Sequence, residues 1–109
     1  MSTCLFCKIA AGEIPCKGIY EDEDFLAFHD IHPKAPVHAL VIPKQHVDSL
    51  VEANDPVMLG QLMDRVRHVA GLLNVAAAGY RVVINVRDGG GQEIYHLHAH
   101  ILGGKRLPF

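Results

Sequence analysis

Several absences narrow what this 109-residue chain can be. It has no excess of charge of one sign: ten Lys plus Arg stand against twelve Asp plus Glu, so no basic surface suited to a nucleic-acid polymer or an acidic membrane is expected. It has no apolar run of membrane-spanning length, and Met1 to Cys7 show no basic stretch leading into an apolar core of secretory length. The expectation is a cytoplasmic protein with no membrane partner. Cysteine is too scarce, at three residues, to build a disulfide framework. Cys4 and Cys7 instead fit reduced thiols or metal ligands, and Cys16 reads as a spectator. Nor does any glycine-rich stretch lead into Lys-Ser or Lys-Thr, or sit between a strand and a helix, which removes the usual kinase and dehydrogenase phosphate loops.

Half of the residues are apolar, enough for one domain over residues 1–109, yet the chain is short enough that self-association would help it bury surface. The pattern predicts a short helical turn over Phe6 to Ala11, stopped by Gly12 and Pro15, and strands at Lys17 to Glu21 and Phe25 to His29 joined by the acidic turn Asp22-Glu23-Asp24. Pro33 and Pro36 force an extended connection before a third strand, His38 to Ile42, which Pro43 ends. Asp55 and Pro56 open one long helix as cap and first residue, and Gly79 is its expected C-terminal cap. Its apolar stripe, Leu59, Leu62, Met63, Val66, Val69, Ala70 and Leu73, is expected to cover a sheet face, leaving His68 in solvent. Tyr80 to Val86 makes a fourth strand and the segment from His96 a fifth. Strands grouped around one long helix predict an α+β fold with an antiparallel five-stranded sheet.

The fifth strand carries the chemistry. His96-Leu97-His98-Ala99-His100-Ile101 places three imidazoles on alternate positions, so in a strand they share one face, roughly 6.6 Å apart, while Leu97, Ala99 and Ile101 take the other. Two of the three can then flank one phosphorus centre. Gly89-Gly90-Gly91 precedes the row, and glycine backbone N–H groups approach an anion closely. A neutral imidazole whose second nitrogen donates to a fixed acceptor is a competent nucleophile toward phosphorus. Such a step needs no metal cofactor. His38, Asn85, Gln92 and His100 are the polar groups expected to gather around His98.

The chain resembles the histidine triad (HIT) superfamily, in particular its Hint branch of purine nucleotide hydrolases. The resemblance rests on Phe6-Cys7-Lys8-Ile9, Gly12-Glu13-Ile14-Pro15, Ala27-Phe28-His29-Asp30-Ile31, Lys34-Ala35-Pro36-Val37-His38, Leu40-Val41-Ile42-Pro43-Lys44, Gly91-Gln92-Glu93-Ile94-Tyr95 and the triad followed by Leu102-Gly103-Gly104. It implies that His98 is the nucleophile of a nucleotidyl-histidine intermediate formed from AMP or GMP conjugates such as phosphoramidates. His96 would set its tautomer through a backbone carbonyl, and His100, His38 and Asn85 would hold phosphate. Asp30 would bind ribose hydroxyls, while Gly91, Gln92 and Glu93 line the leaving-group side. Phe6, Ile9, Ile14, Phe28, His29, Ile31 and Leu40 would wall the purine pocket. A homodimer with one continuous sheet is also implied. Glu93 stands where many relatives have Ser, and a carboxylate donates no proton unless protonated; the tail after Lys105 is short.

Cys4-x-x-Cys7 suits a structural zinc ion if His46 and His96 complete the set, as in some bacterial relatives that this chain resembles. The alternative is a pair of thiols with no ligand role. Other readings of the whole chain are a dinucleoside polyphosphate hydrolase of the Fhit-like branch, a nucleotide-sensing module with incidental catalysis, and a zinc-held scaffold.

Overall fold

The computed structural model describes residues 3–109; Met1 and Ser2 lie outside the described residues. Helices α1 (Leu5–Ala10) and α2 (Pro56–Leu72) accompany five strands, β1 (Gly18–Glu21), β2 (Phe25–His29), β3 (Val37–Pro43), β4 (Arg81–Val83) and β5 (Ala99–Gly103). All neighbours pair antiparallel, in the order β1-β2-β3-β5-β4. This is the expected α+β architecture. Among the described residues no helix is long and apolar enough to cross a membrane.

Alternation along the inner strands separates two cores. Phe25 and Ala27 of β2, Ala39 and Val41 of β3, and Ala99 and Ile101 of β5 pack with Leu62, Val66, Val69 and Ala70 of α2. The intervening residues Leu26, Phe28, Leu40 and Ile42 face the other way and meet Phe6 of α1. Because side chains alternate along a strand, His38, Leu40 and His100 lie on the α1 face. Helix α2 therefore closes one side of the sheet and leaves the other for a site. The β1–β2 turn is fixed by Asp22, whose carboxylate accepts from the Asp24 and Phe25 amides, the Tyr20 hydroxyl and Arg65 Nε of α2.

Helix α2 starts as expected, with the Asp55 carboxylate accepting from the Val57 and Met58 amides. It ends seven residues before Gly79, however, because Asn74 turns left-handed at φ 59°. The Val75 amide then reaches the Ala70 carbonyl and the Asn74 amide the Gly71 carbonyl, which satisfies two terminal acceptors. Asn is the residue other than Gly that tolerates this conformation best. Gly79 closes the next turn instead, donating to Val75. Met63, expected in the buried stripe, is exposed, whereas His68 is exposed as expected with its ring edge against Tyr20.

Both C-terminal strands are shorter than their apolar runs suggest. β4 stops at Val83, so Asn85 stands beyond the sheet, and β5 begins only at Ala99. His96 lies in a bend and His98 in the irregular segment before the strand. The reason is a change of partner: the Leu97 amide bonds the Val47 carbonyl, outside the sheet. Leu97 still reaches the α2 core with Ala99 and Ile101, so the alternation of faces survives although the ladder does not.

Candidate active site

A cavity of about 700 Å³ opens on the α1 face of the sheet. Helix α1 and the turn after it supply Phe6, Ile9 and Ile14, and the sheet supplies Phe28 and Leu40. His29, Asp30 and Ile31, from the end of β2 and the connection that follows, form another side. Asn85, Gly91 and Glu93 come from the loop between β4 and β5, and His38, His98 and His100 complete the polar end. The walls are mainly apolar with a few convergent polar groups, the usual make-up of a small-molecule site.

His98 is held by two contacts. Its Nδ1 lies 2.7 Å from the His96 carbonyl oxygen. A carbonyl only accepts, so Nδ1 carries the proton and Nε2 keeps its lone pair. The Phe6 ring meets the imidazole edge-on with centroids 5.1 Å apart, limiting its rotation. Beside it, the His100 ring stands 5.0 Å away, and His100 Nδ1 is 2.9 Å from Nε2 of His38. Asp30 Oδ2 lies 3.4 Å from that same His38 nitrogen, and Asp30 Oδ1 accepts from the His32 amide.

Burial determines the charge of this cluster. It lowers the affinity of His38, His98 and His100 for a proton, and repulsion from His98 and His38 helps bring His100 down to about 4. Asp30 opposes the shift at each ring without reversing it. All three imidazoles are neutral at pH 7, the state in which a ring nitrogen can attack or accept.

The glycine loop differs from its sequence reading. Asp88–Gly90 form a 3-10 turn; the Gly90 amide bonds the Val86 and Arg87 carbonyls, and the Gly91 and Gln92 amides bond Asp88 and Arg87. These N–H groups are occupied by the turn and do not form an open cradle for an anion. Gln92 is buried as a brace: Oε1 accepts from the Arg87 amide while Nε2 donates to the Asp48 and Ile94 carbonyls, so it does not line the cavity. Asn85 donates one N–H to the Gly90 carbonyl at 2.8 Å, leaving its second one. Outer ties run from Arg87 to Glu52 and from Tyr95 to Asp88.

Around the first histidine of the triad, Cys4, Cys7, His46 and His96 bring their ligand atoms within 4.8 Å of one another. The Cys4 Sγ to His96 Nδ1 and Cys7 Sγ to His46 Nδ1 distances are both 3.3 Å, and Cys7 Sγ to His96 Nδ1 is 3.5 Å. Tetrahedral zinc with ordinary Zn–S and Zn–N bonds gives a sulfur-to-nitrogen edge of about 3.5 Å. Each ring turns its other nitrogen outward to an acceptor: His96 Nε2 to the Pro43 carbonyl at 2.7 Å, His46 Nε2 to Asp48 at 2.6 Å. That leaves both Nδ1 lone pairs for a metal, the arrangement ligating histidines commonly show. The donor set fits zinc.

The sequence pattern of the HIT domain family matches residues 11–107. The chain belongs to the HIT family. Among its relatives, HitA of Neisseria gonorrhoeae is 47% identical over an alignment covering 94% of this chain and 97% of that protein. A HIT family hydrolase from Legionella pneumophila superposes with a TM-score of 0.95 at 46% identity, covering 98% and 97% of the two chains. A histidine triad protein from Clostridium difficile gives 0.94 at 45%, covering 100% and 96%.

Within this HIT fold, the cavity also contains residues that sequence reading passed over. Leu5, Ile94, Val83 and Leu102 add apolar wall; for Val83 and Leu102, alternation along β4 and β5 was the available signal. Cys16, read as a spectator, lines the cavity too; burial, then the Glu21 carboxylate, raises its thiol pKa, so it is no activated nucleophile. Lys34 and His32 enter from the β2–β3 connection, where two prolines masked any regular pattern.

Proposed function

We propose that this HIT protein is a hydrolase of the Hint type that acts on purine nucleoside 5′-monophosphate conjugates, with phosphoramidates as the preferred class. One observation carries the reading: the His98 Nδ1–H is directed to the His96 carbonyl, which leaves Nε2 as a neutral nucleophile in a cavity large enough for a nucleotide. The Legionella relative's description as a hydrolase supports the same direction.

In the first step Nε2 attacks the α-phosphorus. A P–N bond to His98 forms as the bond to the leaving amine breaks, and the amine departs neutral with a proton taken from water, which the attacking water of the second step returns to solvent. Water then attacks the nucleotidyl-histidine, releasing the nucleoside monophosphate and restoring the imidazole. His100 and the second Asn85 N–H are assigned to the phosphoryl oxygens and Asp30 to ribose, while His38, its two ring nitrogens engaged by the Lys34 amide and His100, supports His100 from behind. The apolar walls from Phe6, Ile9, Ile14, Phe28 and Leu40 take the base, with His29 and Ile31 at its margin. Gly91 and Glu93 flank the departing group. Zinc on Cys4, Cys7, His46 and His96 would fasten α1 to the triad segment, as a structural ion. Two chains would pair through β4 into a continuous sheet.

His98→Ala should cut hydrolysis of an adenosine phosphoramidate by on the order of 10⁴-fold or more while AMP still binds. Wild-type protein denatured during turnover should carry nucleotide on His98; undiminished turnover by the variant rules the nucleophile out. Faster release of AMP from diadenosine triphosphate than from the phosphoramidate would favour the Fhit-like assignment.

A further inference from the structure

The β2–β3 connection does more than link two strands. Its Lys34 amide donates to Nδ1 of His38 at 3.0 Å. A nitrogen that accepts from a backbone N–H carries no proton, so neutral His38 holds its proton on Nε2. That nitrogen lies 2.9 Å from His100 Nδ1 and 3.4 Å from an Asp30 carboxylate oxygen, and both positions call for a donor. His100 Nδ1 therefore accepts, and the His100 proton sits on Nε2. The opposite tautomer of His38 would set two N–H groups head to head at a side chain only 1% exposed, where water cannot intervene.

We propose that the Lys34 backbone amide is a positioning group which, through His38, fixes His100 as an Nε2–H donor for the substrate's phosphoryl oxygens. This inference rests on the nucleotide hydrolase reading given above. It has weight here because several nearby donors are occupied: the Gly90, Gly91 and Gln92 amides close the 3-10 turn, His98 donates to a carbonyl, and Asn85 has given one of its two N–H groups to Gly90. The same chain of bonds explains why Asp30, His38 and His100, although close enough together to suggest a metal site, are not one. The His38 nitrogen facing the other two is protonated and has no lone pair to offer.

The test is imidazole nitrogen NMR of the intact chain at about pH 8, above the ordinary histidine range. Wild type is expected to show protons on Nε2 of His38 and His100 and on Nδ1 of His98. Lys34→Ala, which keeps the amide, should retain this pattern. Lys34→Pro, which removes the N–H, should give mixed tautomers at His38 and His100 and lower kcat for an adenosine phosphoramidate on the order of a hundredfold. Should Lys34→Pro not fold, His38 variants serve: His38→Gln can still donate and should keep the His100 proton on Nε2, whereas His38→Glu only accepts and should move it to Nδ1. A wild-type His100 protonated at Nδ1, or a folded Lys34→Pro with unchanged tautomers and turnover, overturns the proposal. The expected tautomers in a wild-type protein that hydrolyses no phosphoramidate uphold the chain of bonds and overturn the hydrolase reading; hydrolysis with His100 protonated at Nδ1 does the reverse.

Discussion

At the scale of single residues, burial is what makes these histidines useful. An imidazole forced neutral by desolvation is a nucleophile or a hydrogen-bond relay at any pH where the ring is not compelled to charge. The same burial gives the fold a pH limit. The His100 pKa falls to about 4 in the folded chain against about 6.5 unfolded, so between these values the unfolded chain binds the extra proton. Stability is therefore full above about pH 6.5, declines as pH falls toward about 4, and changes no further from this group below that. His38 and His98 are shifted the same way and add to the trend. Thermal unfolding at pH 7 and pH 5 should show the lower Tm at pH 5; an unchanged Tm would mean that the rings are not held neutral.

Among the elements, the junction of β5 with the β2–β3 connection is the tightest. Gly104 follows β5 at φ +90°, and a Cβ there would stand 2.9 Å from the Pro36 Cβ and 3.3 Å from the Val37 amide nitrogen. Gly104→Ala therefore combines backbone strain with a clash and should cost about 1–3 kcal/mol, measured by urea denaturation. Because Pro36 belongs to the connection that carries Lys34, turnover should fall along with stability. Short elements account for what pattern reading missed. Reading apolar runs between turn residues located β2 and β3 closely because both strands are buried through most of their length. It overextended β4 and β5, since Leu97 alternates in register while bonding to Val47 outside the sheet. It also could not foresee that Asn74, a polar residue with no apolar period, ends α2.

For the whole molecule, two proposed features can be tested without substrate. Protein purified without chelator should contain about one zinc per chain, and stripping it should lower Tm by about 10 °C or more, since α1 would lose its tie to residues 46 and 96. Less than a tenth of an equivalent ends that assignment. The proposed dimer rests on an exposed end of the sheet: β4 has three residues, bonds only β5 among the described strands, and carries Val82 at 40% exposure. An unpaired edge with an apolar side chain invites a second copy. Sedimentation should show a dimer that Val82→Glu weakens; a monomeric wild type would remove it.

Sequence alone determined the layers, the sheet face that carries His98 and His100, and part of the apolar wall of the cavity, because alternation and caps are local properties of the chain. The triad with its flanking motifs was enough to place the chain in its family. Tertiary structure decided which polar groups remain available. Only folding shows that the glycine amides close on their own turn, that Gln92 braces Asp48, and that the Lys34 amide reaches His38. Hydrogen-bond partners brought together from distant segments leave no period in the sequence, so the direction in which each proton points is settled by the fold.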